Sequence, residues 1–237
     1  MKYESPDRSP LLFLARPGDV LRADDEHLLT PHERRRADAL RTEDDRIAYV
    51  AAHLLVRHCA AALTGRPVES LTLVQQCPEC GSTEHGRPSI EELPDLHVSL
   101  AHTRGAVAVG ADHQPIGVDV EHAPEEGLDP AVLRFALTPA ETDSVRSADD
   151  PPTAFLRHWV RKECLVKVGA VTLDELSRVE LDPARESAAE AGRTRGQFGS
   201  LHLVDWFDSA LGVGVAAAAA RPPVVGSFST WARRRTT

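Results

Sequence analysis

Two short stretches concentrate residues that could do chemistry. One is Trp159-Val160-Arg161-Lys162-Glu163-Cys164-Leu165-Val166-Lys167. It holds two of the three lysines in the chain, Lys2 being the third, among 27 basic residues. Lysine is a compact, strongly hydrated point charge on a flexible stem, whereas arginine is a planar fork. On a helix, Trp159, Glu163 and Lys167 stand at i, i+4 and i+8 and form one stripe. The other stretch is Gly117-Val118-Asp119-Val120-Glu121. On a strand, Asp119 and Glu121 point to one side while Ile116, Val118 and Val120 fill the other. Two carboxylates held that close raise each other's pKa or gather a cation. Taken alone, each stretch also reads as an ordinary solvated face. Packed together, Glu163 becomes a third carboxylate beside Asp119 and Glu121, a donor set that suits Mg²⁺ with open positions for phosphate oxygens.

These residues need elements to hold them, and the chain supplies them twice. Leu29-Thr30-Pro31-His32-Glu33 and Leu137-Thr138-Pro139-Ala140-Glu141 lie 108 positions apart and both spell a capping box with proline at the first helical position. Each box is followed by an apolar helical pattern, residues 46–63 and 154–171. A short apolar strand precedes each, at 11–15 and 115–121, and an alternating hairpin follows, at 96–111 and 201–218. The order predicts an α+β fold made of two similar α+β halves, residues 1–112 and 113–237, joined near 111–117, with a site between them.

Composition narrows the function. A net charge of −9 argues against a broad nucleic-acid surface. Apolar runs fall short of a membrane span. Four cysteines, Cys59, Cys77, Cys80 and Cys164, are too few for a disulfide scaffold at this length and fit a reducing cytoplasm. Cys77-Pro78-Glu79-Cys80, with His85 and His97 after it, resembles half a zinc ribbon and lacks a second Cys pair. Cys164 reads as packing. Residues 186–199 read as an exposed loop and 231–237 as a frayed basic end.

With both stretches in view, the sequence resembles the Sfp-type 4′-phosphopantetheinyl transferase family. That family's signatures are a Gly-hydrophobic-Asp-x-Glu strand and a Trp-x-x-Lys-Glu-x-x-x-Lys helix; here Asp119 and Glu163 are 44 positions apart. Gly86-Arg87-Pro88 and His97-Val98-Ser99-Leu100-Ala101-His102-Thr103 match further family elements, with Ala101 where serine is usual. The Asp45–Arg57 helix is also similar, and the resemblance spans roughly residues 30–220.

The resemblance implies the duplicated fold and an enzyme that moves the 4′-phosphopantetheine arm of coenzyme A to a serine of an apo acyl or peptidyl carrier protein, as in polyketide or nonribosomal peptide synthesis, releasing 3′,5′-ADP. It implies Mg²⁺ on Asp119, Glu121 and Glu163, with Glu163 also the base. It places Lys162 and Lys167 at the pyrophosphate, and Arg36, Arg46, His102 and Thr103 on the 3′-phosphate side. It sets Arg87 and Pro88 beside the adenine. A cytoplasmic monomer is expected. Leu133, Phe135 and Leu137 offer a carrier-docking patch. Two rivals stand beside it: a non-catalytic zinc-knuckle adaptor on the same fold, and a transferase dedicated to a single fatty-acid or lysine-pathway carrier.

Overall fold

The computed structural model describes residues 9–21, 25–77, 80–83, 86–181, 186–188 and 192–235. In chain order the elements are β1 (Leu11–Ala15), α1 (Pro17–Val20), α2 (Pro31–Asp38), α3 (Glu43–Thr64), β2 (Leu73–Gln76), β3 (Arg87–Ile90), β4 (His97–Thr103) and β5 (Ala106–Asp112). Then come β6 (Ile116–His122), α4 (Pro130–Ala136), α5 (Pro139–Arg146), α6 (Pro151–Val168), β7 (Ser187–Ala188), β8 (Thr194–Phe198), β9 (Leu201–Asp208), β10 (Val213–Ala219), β11 (Val224–Ser227) and α7 (Phe228–Arg235).

Both capping boxes form. Thr30 Oγ1 accepts from the Glu33 amide while Glu33 Oε2 accepts from the Thr30 amide. Thr138 and Glu141 do the same at the start of α5. Each box satisfies two amide donors that the first helical turn would otherwise leave unpaired. The long helices end at Gly65 and Gly169, with φ of 72° and 84°, a left-handed conformation that glycine adopts without steric cost.

The strands form two sheets, ordered β11-β1-β5-β4-β3-β2 and β6-β10-β9-β8-β7. Within them the set β1–β5–β4 repeats the antiparallel pairing of β6–β10–β9. The two halves therefore share element order and pairing, an α+β architecture. Between the sheets, Leu12, Ala101 and Ala108 pack with Ile116, Val118, Val120 and Val215. The Val118 amide donates to Ser99 Oγ at 3.0 Å, tying β6 to β4 across the seam. On the outer faces, α3 covers Phe13, Val107 and Val109, and α6 covers Leu203, Ala216 and Ala218.

α3 is longer than its pattern suggested, and one window of it, with mean hydropathy 1.4, is long enough to cross a membrane; 83% of that window is buried inside the protein. Its apolar residues form the core of the first half.

The last segment departs from expectation. The described part of 231–237, up to Arg235, is helical rather than frayed. β11 pairs in parallel with β1, and Phe228 and Trp231 of α7 set their rings about Phe13 at 6.0 and 6.2 Å. Residues 224–235 thus return to the first half's sheet although they follow the second half in sequence. Residues 186–199, expected as a loop, hold β7 at the sheet edge and β8 beside it among their described positions.

Beneath each long helix lies a buried clamp. Glu33 is held by His53 and Arg57 of α3, and Arg57 also donates to the Leu71 carbonyl. Glu141 is held by Lys162 and His158 of α6, and Lys162 also donates to the Leu176 carbonyl. Burial opposes ionisation of both carboxyls. The bonds from His53 and Arg57, and from His158 and Lys162, nonetheless hold each pKa down to about 2.

Candidate active site

α6 lies directly on β6, and Gly117 makes that possible. A Cβ there would sit 2.1 Å from the Cys164 carbonyl oxygen, so only glycine admits the approach. The contact brings the stripe of α6 that carries Glu163 and Lys167 over the acidic side of β6. Lys167 Nζ donates to Asp119 Oδ1 at 2.7 Å. Asp119 is buried, and among the described residues its Oδ2 has no hydrogen-bond partner. Glu121, two positions on, shares a side-chain hydrogen bond with Thr103 of β4, so the first half reaches the acidic strand.

The electrostatics agree with the geometry. Burial raises the pKa of Asp119, against the opposing charge of Lys167. Burial, then the charge of Asp119, raise both Glu121 and Glu163. Asp119 thus acts on both other carboxylates. Burial works against the charge on Lys167, but Asp119 outweighs it and lifts the ammonium's pKa. Carboxylate oxygens in this number suit a hard divalent cation, and Asp119 Oδ2 is an acceptor without a donor. Among the described residues no three His, Cys, Asp or Glu side chains are already arranged as a ligand cage, and Lys167 occupies one oxygen of Asp119.

Lys162 is a correction. It was expected at the pyrophosphate, yet it is fully buried, with Nζ on Glu141 and on the carbonyls of Ala136 and Leu176, the last two at 2.8 Å. Adjacent residues on a helix point about 100° apart, so the residue before Glu163 faces α4 and α5, away from the carboxylates.

The first half brings His102 toward the seam. Burial lowers its pKa, and the charges of His53 and Lys167 add to that. Tyr49, which sequence reasoning missed, links the group. Its ring lies 3.9 Å from that of His53, tilted by 32°, and meets His102 edge-on at 6.2 Å, while its hydroxyl bonds Arg36. Burial, then the Glu33 charge, push the phenol up to about 12, so it stays neutral. One signal was available: Tyr49 is a lone hydroxyl on the apolar face of α3. Arg46 pairs with Glu26 and Glu43, at 3.5 and 3.9 Å. Arg87 reaches across the seam, its Nη2 2.9 Å from where a Cβ on Gly169 would stand at the end of α6. Pro88 lies opposite Gln75 in the hairpin.

Of the apolar segment after β6, Leu133 and Leu137 are core residues with Ala136, Val145 and Phe155. Phe135 and Val132 are exposed, at 48% and 41%. Cys77 is buried and Cys80 exposed, while Pro78, Glu79 and His85 lie outside the described residues. Cys164 is fully buried, and burial pushes its thiol well above the ordinary range, consistent with packing.

Comparison with known proteins points the same way. Residues 115–216 match the family model of the 4′-phosphopantetheinyl transferase superfamily. The chain is 32% identical over 84 residues to the 4′-phosphopantetheinyl transferase Sfp of Bacillus subtilis (strain 168), covering 35% of this chain and 38% of that one. It is 27% identical over 114 residues to another 4′-phosphopantetheinyl transferase of Bacillus subtilis, 48% of each chain. With psf-1 of Bacillus pumilus it shares 24% over 116 residues, 48% of this chain and 46% of the relative. The chain thus spans less than half the length of these relatives. Its similarity to the 4′-phosphopantetheinyl transferase superfamily, carried first by two short motifs, holds over residues 115–216, which contain β6, α6 and all three carboxylates of the candidate site.

Proposed function

We propose that this protein transfers the 4′-phosphopantetheine arm of coenzyme A to a serine hydroxyl of an apo acyl or peptidyl carrier protein, releasing 3′,5′-ADP. The observation that carries this reading is the meeting of Asp119 on β6 with Lys167 on α6, 2.7 Å apart, beside Glu121 and Glu163.

In the reaction, the serine oxygen bonds to the β-phosphorus, and the bond from that phosphorus to the leaving 3′,5′-ADP oxygen breaks. Phosphoryl transfer of this kind rests on positioning and charge neutralisation. Asp119, Glu121 and Glu163 would hold Mg²⁺, which when bound neutralises pyrophosphate charge. Lys167 is placed to add a second positive charge on the same phosphate. Glu163 takes the serine proton on a carboxylate oxygen left free of the cation. On the other side of the seam, His102 and the Arg36 held by Tyr49 donate to the 3′-phosphate. Thr103 fixes Glu121. Phe135 and Val132 form the apolar part of a carrier-docking patch, since a net charge of −9 would not steer an acidic carrier by long-range attraction. The protein is proposed to act in the cytoplasm.

The test is to incubate the purified chain with coenzyme A, Mg²⁺ and a panel of apo carriers and to weigh the carriers. A gain of one phosphopantetheine arm, dependent on Mg²⁺, is expected, and its pattern across the panel separates a broad transferase from a dedicated one. No gain on any carrier rejects the reading.

A further inference from the structure

The ion pair between Lys167 and Asp119 has a consequence for the order in which ligands arrive. Lys167 Nζ sits 2.7 Å from Asp119 Oδ1, with the two side chains 30% and 5% exposed. The other oxygen of Asp119 is buried and has no hydrogen-bond partner among the described residues. A divalent cation and this ammonium therefore need the same carboxylate.

We infer that Lys167 is a placeholder for the cation: without nucleotide its ammonium occupies Asp119, and it yields that carboxylate to the metal only when a pyrophosphate offers it a new anionic partner. This rests on the function proposed above. An ammonium on a flexible four-carbon stem can change partners between a carboxylate and a nearby phosphate by rotating its own torsions. A guanidinium fork matches a carboxylate bidentately and releases it less readily. The exchange gives a physical role to lysine at 167 in a chain that otherwise uses arginine almost throughout. It also makes cation and coenzyme bind with positive coupling, reciprocal by thermodynamic necessity, so the site is not assembled on metal alone.

The experiment is Mn²⁺ binding, by calorimetry and electron paramagnetic resonance at mildly alkaline pH, with and without coenzyme A, on the unaltered chain and on Lys167→Met. The unaltered chain should bind Mn²⁺ weakly alone and more tightly with coenzyme A. Lys167→Met should bind Mn²⁺ alone about tenfold more tightly, the equivalent of losing one competing, partly buried ion pair, and should gain less from coenzyme A. Equal or weaker Mn²⁺ binding by Lys167→Met overturns the inference. A second measurement needs no substitution. With three lysines in the chain, labelled lysine side chains give few resonances; Mg²⁺ alone should leave that of Lys167 in place, and Mg²⁺ with coenzyme A should move it, while that of buried Lys162 stays put in both. A Lys167 signal that Mg²⁺ alone moves as far as Mg²⁺ with coenzyme A, or that the two together leave in place, also overturns it. A chain that takes up no cation even with coenzyme A present rejects the metal reading itself, and the placeholder with it.

Discussion

Arg57 and Lys162 occupy the same place in the two halves. Each is fully buried, each donates to the glutamate of a capping box, Glu33 or Glu141, and each donates to a carbonyl fourteen residues on, Leu71 or Leu176. One clamp uses a fork and the other a point charge, yet both fasten a long helix to the short helix before it.

Removing either cation leaves a carboxylate buried without its counter-ion. Arg57→Met and Lys162→Met are each expected to cost about 3–5 kcal/mol, read as a lower urea midpoint. The two losses should add, because the clamps share no partner. A cost below about 1 kcal/mol for Lys162→Met would return that lysine to the reacting centre.

Acid sensitivity follows from the same pairs. Both glutamates are held at about 2, below the ordinary 4.5. A carboxyl depressed on folding stabilises the fold above its unfolded pKa and loses that contribution as pH falls through the folded value. Stability should therefore drop between about pH 4.5 and pH 2, by on the order of 3 kcal/mol per clamp. Unfolding monitored by circular dichroism across this range checks it. Glu33→Gln should flatten the slope as well as lower the plateau.

Gly117→Ala puts a methyl 2.1 Å from the Cys164 carbonyl and must lift α6 from β6. Transfer should fall at least about a hundredfold, in line with misplacing a reacting group by about 1 Å, while circular dichroism retains both helix and sheet. Gly18→Ala, where nothing lies within 4 Å, should leave transfer intact. Carrier mass measurement over time distinguishes the two.

Glu163→Gln keeps shape and removes the base; Asp119→Ala removes the partner of Lys167. Each should abolish the carrier mass gain, a loss of at least about a thousandfold, without loss of the folded signal. A fully active Glu163→Gln would remove the assignment of the base.

Phe135→Glu should raise the carrier KM severalfold and leave coenzyme A affinity unchanged, because the side chain is half exposed and lies outside the core. Leu133→Glu should instead impair folding, since Leu133 is buried. Unchanged carrier kinetics for Phe135→Glu would reject the docking patch.

Much of this was legible in the residues. Thr-Pro-x-Glu announces a helix start through local bonds, and both starts appear where the pattern put them. Alternation in Gly117–Glu121 fixed which side the carboxylates share, whereas the close approach at Gly117 shows only once α6 is in place. Lys162 was misread because spacing tells which residues share a stripe but not what the next stripe faces; α4 and α5 decide that. The return of β11 was hidden for a different reason. Its partner, β1, lies more than 200 positions earlier, and Pro222-Pro223 just before it suggest a break, not a strand.

That late pairing has a consequence during synthesis. Until residue 224 has left the ribosome, β1 has a neighbour on one side only, and its outer row of amides and carbonyls stays open to any extended strand that passes. The first half can collapse early, but its hydrogen-bonded border is sealed only by the segment that emerges after the whole of the second.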